Sequence, residues 1–168
     1  RDMTLFKDDD NKAYLIYSSE GNATLYFSLL SDDYLTHSGN YTRNFQNQYR
    51  EAPAIFKHKN KYYLITSGCT GWDPNEAEYA VADSILGPWR TMGNPCIGED
   101  SDKTFYSQST FILPVHGKKD TYIALFDKWN KTNLIDSRYV WLPLLVKSKD
   151  IIEIKWEDKW SYTSSIFD

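Results

Sequence analysis

Three hairpins of one design recur along the chain, and no other feature limits the fold more. "TLFKDDDNKAYLIYSS" (4–19) is an apolar run, an Asp-Asp-Asn-Lys turn and a second apolar run. "PAIFKHKNKYYLITSG" (53–68) repeats it around His-Lys-Asn-Lys, and "STFILPVHGKKDTYIALFD" (109–127) repeats it around a longer turn. Matching Phe6 with Phe56 and Ile112 gives a period of about 50 residues. Each hairpin is followed by further strand-like material: "ATLYFSLLSDDYL", then "AEYAVADSILGPW", then "SRYVWLPLLV" with "IEIKWEDKW". Helical periodicity is nearly absent, and short runs of Tyr, Ile, Leu, Phe and Thr between turn clusters are the pattern of antiparallel strands. Four short strands per unit of this length describe a propeller blade. The reading is therefore all-β, with three four-stranded antiparallel blades at approximately 1–50, 51–107 and 108–168. Unrelated β-meanders in a sandwich are the competing architecture, and the matching order of the hairpins argues against them. In "DSILGPW" (83–89), Gly-Pro turns the chain and Trp89 is expected to pack beneath it as a structural corner.

Three blades do not close a propeller, which has typically 4–8. The expectation is that further blades lie upstream or that another chain supplies them, because open blades expose strand edges and apolar faces. The chain opens on Arg1-Asp2-Met3, so a signal peptide is also expected upstream rather than within these residues. No run reaches the length of a membrane span. A net charge of −4 argues against nucleic acid as a partner, and 16% aromatic residues argue against disorder. A Tyr- and Trp-rich, mildly acidic chain suits uncharged ligands with apolar faces, of which sugars are one class. Cys69 and Cys96 leave a disulfide open, with two reduced, buried thiols at least as consistent. His37, His58 and His116 are scattered and give no zinc-ligand spacing. Sequons occur at Asn22, Asn40 and Asn130.

Residues just ahead of each blade's first strand gather at the mouth of a propeller's central channel. Asp2 lies four residues before Phe6, Glu51 five before Phe56 and Gln108 four before Ile112. Three polar groups far apart in sequence are thus expected on one axis. Glycosidic chemistry needs such a set: an acid to protonate the leaving oxygen, and a partner to steer the nucleophile. Glu51 is the natural acid, with Ala52-Pro53 limiting its backbone. Asp2 beside it would raise its proton affinity by like-charge repulsion. Gln108 is barely basic, yet it can hold a water or a sugar hydroxyl. Each of the three, taken singly, reads equally well as an exposed turn or strand-cap group.

"RDMTLFKDDDNKAYLIYSS", "REAPAIFKHKNKYYLITSGCTGWDPN" and "DSILGPWRTMGNPC" closely resemble family 43 glycoside hydrolases, in the branch acting on β-1,3-galactan and related galactosides. The resemblance covers nearly the whole chain and loosens from Lys147 onward. It implies a five-bladed β-propeller that hydrolyses glycosidic bonds with inversion. It implies Glu51 as general acid and Asp2 as the orienting, pKa-modulating carboxylate. The family's usual base, an Asp on the first blade, would lie upstream of Arg1. The galactan branch is implied to lack it and to give a base-like role to a Gln in the segment matching Gln108. The implied partner is a galactose-containing oligo- or polysaccharide, and the implied location is secreted or periplasmic. No cofactor is required, and no ligand set for a channel calcium is legible.

Further sugar contacts are expected from Thr70 and Trp72, which follow the middle repeat's second strand back to the channel mouth. Tyr106 should point the same way as Gln108 if that segment is extended. Asp136, Arg138 and Trp141 are candidates from "DSRYVWLPL". Blade-to-blade packing is the reading preferred for both Trp129 and Trp141. Arg138 reads equally as the partner of a buried carboxylate. The leading function is exo-acting hydrolysis of β-galactosides. An arabinofuranosidase or β-xylosidase of the same family is the second enzyme reading, and a non-catalytic carbohydrate-binding propeller the competing class.

Overall fold

The computed structural model describes residues 1–163 and 167. The remaining residues of the expected third blade, 164–166 and 168, lie outside the described ones. Three sheets, antiparallel but for one two-residue strand, hold every strand among the described residues. The first contains β1 (Met3–Lys7), β2 (Ala13–Ser19), β3 (Thr24–Leu30) and β4 (His37–Asn44), paired in that order. The second contains β5 (Arg50–His58), β6 (Lys61–Gly68), β7 (Glu78–Ala82) and β8 (Arg90–Gly93) in the same order. A two-residue strand follows, β9 (Cys96–Ile97), then β10 (Gln108–Pro114), β11 (Tyr122–Lys128), β12 (Arg138–Val146) and β13 (Ile152–Lys155).

The third sheet runs β10-β11-β12-β13-β9, five strands where the sequence pattern gives four. β9 pairs parallel to β13, Ile154 opposite Cys96 and Lys155 opposite Ile97. The chain thus reaches forward from the second sheet to close the outer edge of the third.

The meander order follows from local chemistry. His58 pairs with Lys61, leaving Lys59-Asn60 as a two-residue hairpin loop, and Lys59 takes the positive φ (55°) that such a loop demands. First strands lie side by side, β1 against β5 and β5 against β10, as blades around one axis require. Between sheets one and two, Tyr14, Ile16, Leu25 and Phe27 meet Ile55, Tyr62, Leu64 and Ile85. Between sheets two and three, Ala54, Phe56, Tyr63 and Ile65 meet Ile112, Tyr122, Ala124, Phe126 and Leu142. Alternate residues of the middle sheet therefore serve opposite neighbours. That is why "KYYLIT" reads as continuously apolar rather than alternating.

Trp89 packs on Phe27 and Phe45 of the first unit, so the Gly-Pro corner fastens the second sheet to the first. Gly87 holds φ +92°, and a Cβ there would meet Asn44 Oδ1 at 3.0 Å, so the position requires glycine. Both cysteines are free. Cys96 is buried between the second and third sheets, as expected for a reduced thiol, but Cys69 is exposed. Among the described residues no helix is long and apolar enough to cross a membrane.

Candidate active site

Glu51 opens β5, and the backbone directly after it is not regular strand. The β5–β6 ladder shifts register between Glu51 and Ala54, and Ala52 sits at φ +51°. This is a bulge: Pro53 has no N–H to offer the ladder, and the extra residue re-aims Glu51. Ala52 carries the strain because its neighbours hold both of its peptide groups. Its N–H donates to Asp2 Oδ2 at 3.1 Å, and its carbonyl accepts from the buried Ser109 hydroxyl at 2.7 Å. One clamp comes from the first sheet and the other from the third.

The Glu51 carboxylate is gripped in the same two-sided way. Gln108 Nε2 donates to Oε1 and Asn22 Nδ2 donates to Oε2, each at 3.3 Å. Burial pushes the Glu51 carboxyl above the ordinary glutamate value, and the Asp2 charge adds to the rise. Hydrogen bonds from the Cys69 thiol and the Gln108 amide pull it partly back. The group is thus biased toward its protonated form, which a general acid needs.

Gln108 is fixed at both ends of its amide. Nε2 also donates to Ser67 Oγ at 2.8 Å, and Oε1 accepts from Trp129 Nε1 at 3.2 Å. Oε1 has the capacity to accept one more donor besides the Trp129 N–H. Arg50, immediately before the acid, bonds Thr66 through Nε (3.0 Å) and Nη2 (3.1 Å), which anchors the start of the strand.

A cavity of about 420 Å³ opens beside Gln108, lined among others by Ser67, Trp72, Tyr106, Trp129, Asp136 and Arg138. Trp72 and Trp129 meet edge to face with centroids 5.2 Å apart, forming a half-exposed aromatic corner. Asp136 and Arg138 are ion-paired to each other at its rim. Thr70 does not line the cavity: its hydroxyl donates to the Asp73 carbonyl and accepts from Asn75 Nδ2, both at 2.6 Å, stapling the loop that carries Trp72. Trp141 lies elsewhere, on the outward face of β12, beside Trp156 and Trp160.

The structure lines one cavity with Gln108, Trp72, Tyr106, Asp136 and Arg138; Glu51 adjoins it through its hydrogen bond from Gln108 and Asp2 through the Ala52 amide, while Thr70 and Trp141 stand off its walls. Trp129, expected to pack between blades, instead lines the cavity and bonds Gln108. Asn22 reads in sequence as a sequon, yet its amide nitrogen is bound to the acid, and its Oδ1 is buried with no hydrogen-bond partner. Asp127, opposite Gln108 on β11, is also pushed up by burial but does not line the cavity. Among the described residues no cluster of three His, Cys, Asp or Glu is placed to hold a metal.

Residues 2–129 match the family model for glycosyl hydrolases family 43. No curated protein matches the chain significantly. Among solved structures, a family 43 β-1,3-galactosidase with galactodeoxynojirimycin is 55% identical with a TM-score of 0.94, covering 96% of this chain and 47% of its own. An exo-β-1,3-galactanase from Clostridium thermocellum is 37% identical with a TM-score of 0.84, covering 92% of this chain and 33% of its own. An exo-β-1,3-galactanase from Phanerochaete chrysosporium, with galactose, is 33% identical with a TM-score of 0.81, covering 92% of this chain and 35% of its own. The chain therefore spans about half or less of the length of these structures. The matched stretch includes Asp2, Glu51 and Gln108, and the chain belongs to glycosyl hydrolases family 43.

Proposed function

We propose that this chain carries the acid and water-holding parts of an inverting glycosidase site that releases terminal galactose from β-1,3-galactan or a related galactoside. The observation that carries this reading is the Glu51 carboxyl, half-buried near Asp2 and held between amides from the units on either side. In the proposed step, protonated Glu51 gives its proton to the glycosidic oxygen as the C–O bond breaks. Entry of the sugar would open the Gln108–Glu51 hydrogen bond, and a water then held at Gln108 Oε1 attacks the anomeric carbon from the face opposite the departing oxygen and sheds its extra proton to solvent. Gln108 orients this water rather than deprotonating it, because an amide is barely basic. Asp2 acts through Glu51, by charge and by fixing the bulge. Trp72 and Trp129 offer the apolar faces on which a galactose ring stacks. The names of the similar structures support galactose as the sugar. Function on an external polysaccharide accords with a secreted or periplasmic protein.

The test is galactose release from β-1,3-galactan by the protein and by Glu51→Gln, with the product anomer followed by NMR. The reading requires α-galactose as first product and loss of at least about 10²-fold in rate in the variant. Release that survives Glu51→Gln, or a β-anomer as first product, overturns it.

A further inference from the structure

An amide has two ends of nearly equal shape, and only the oxygen can accept a hydrogen bond from an attacking water. Gln108 opens β10 with three partners around that group. Its Nε2 donates to Ser67 Oγ at 2.8 Å and to Glu51 Oε1 at 3.3 Å, and its Oε1 accepts from Trp129 Nε1 at 3.2 Å. Two of the three do not discriminate. A serine hydroxyl donates or accepts, and so does a protonated carboxyl, so either suits the amide turned end for end. An indole N–H donates only, so the atom facing Trp129 has to be the oxygen.

The fold brings that donor in and holds it from several sides. Gln108 pairs with Asp127 across β10 and β11, so Trp129, two residues beyond Asp127, leaves β11 beside the amide. Trp129 is 41% exposed and meets Trp72 edge to face. The Trp72 loop is stapled by Asn75, whose Oδ1 accepts from Gly68 N–H at 2.8 Å and whose Nδ2 donates to the Gly68 carbonyl at 2.9 Å. Lys131 is ion-paired to Asp73, which ties the loop after β11 to the loop that carries Trp72. The Asn130 N–H donates to Ser137 Oγ at 3.1 Å and closes the first of these loops on itself. Ser67, by contrast, is a buried residue of β6 in the middle sheet. The amide is thus held between a buried hydroxyl of one sheet and an indole on the cavity wall.

We propose that Trp129 is a positioning residue for the hydrolytic step: its indole N–H sets which end of the Gln108 amide faces the reacting water. When the sugar enters and the Glu51 contact opens, Ser67 and Trp129 are the bonds that remain, and only Trp129 tells oxygen from nitrogen. A water that donates to Oε1 keeps its own lone pairs free for the anomeric carbon. An amide turned the other way presents N–H groups instead, and the water spends a lone pair on them. The same turn takes Nε2 away from Glu51, whose charged form it stabilises. This role rests on galactoside hydrolysis at Glu51 and Gln108.

The test compares the parent with Trp129→Phe, which keeps a ring on the cavity wall and loses the N–H, and with Trp72→Phe, which trims the neighbouring ring and leaves that N–H in place. One readout is galactose release from β-1,3-galactan across pH. The other is the NMR signal of the Gln108 side-chain amide in protein carrying isotope-labelled glutamine, assigned by its loss in Gln108→Glu. In Trp129→Phe, kcat falls about 10- to 100-fold with KM within about threefold, and the alkaline limb of kcat/KM moves to higher pH. The Gln108 amide signal of that variant doubles or drifts toward those of the exposed Gln46 and Gln48. Trp72→Phe leaves both the limb and the amide signal in place. A kcat, a limb or an amide signal that stays put in Trp129→Phe, or the same changes in Trp72→Phe, overturn the positioning role alone. A parent that releases no galactose overturns the functional reading, and the role in hydrolysis with it.

Discussion

The middle sheet and its two flanking sheets are built on one plan but live in different surroundings. β6 is buried at six consecutive positions, Tyr62 to Ser67, because one neighbour covers each face. In β1, and in β12 only from Val140 to Leu142, the pattern alternates: Phe6 and Leu142 face the middle sheet, while Leu5 and Trp141 face away, 57% and 56% exposed. Within the described residues, similar hairpins are thus covered on both faces in the middle copy and on one face in the flanking copies.

Phe56→Ala should show that contrast at its largest. This ring is 2% exposed and packs on Tyr63 and Tyr122, at centroid distances of 5.0 and 4.8 Å. The expected loss is about 3–5 kcal/mol in urea or thermal unfolding. A loss below about 1 kcal/mol would break the comparison. Ser109→Ala comes next, since it leaves the buried Ala52 carbonyl without its donor, at about 1–3 kcal/mol. It should also depress kcat more than KM, because the bulge that aims Glu51 loosens; an unchanged kcat would separate the clamp from the chemistry.

The first sheet's hold on the middle one is read by pH. Glu51 is raised in the folded protein, so its stabilising balance is full below the ordinary glutamate value of 4.5 and is lost as pH rises through the folded pKa. Glu51→Gln should therefore be more stable than the parent at neutral pH, with the difference shrinking toward pH 4. Asp2→Asn removes a charge that lifts Glu51, so the alkaline limb of the activity profile should move to lower pH. A limb that stays in place would mean that burial alone sets the acid. The smallest effect is expected at Leu5→Ala, within about 0.5 kcal/mol by the same unfolding assays.

The hairpin period made the blades legible, because matching Phe6, Phe56 and Ile112 also aligns what precedes them. Asp2, Glu51 and Gln108 were therefore readable as one group. The rule that placed Trp72, residues just after a repeat's second strand, applies equally to the other repeats: it points to Asn22 after β2 and Trp129 after β11. Asn22 was masked by its sequon, and Trp129 by the general tendency of tryptophan to pack. β9 was not legible at all: two residues carry no period, and their partner strand lies more than fifty residues further on. The Ala52 bulge was half visible, in that Ala-Pro after Glu51 marked a constrained backbone, while the two clamps depend on side chains from other repeats.

Those clamps on Ala52 have an architectural consequence. A residue whose amide is tied to one sheet and whose carbonyl is tied to another works as a keystone, seated only when both abutments are in place. Loosening either interface, at Phe56 or at Trp89 on the far side, should then register at the acid before it registers as unfolding. Turnover would be the more sensitive gauge of how well the blades are assembled.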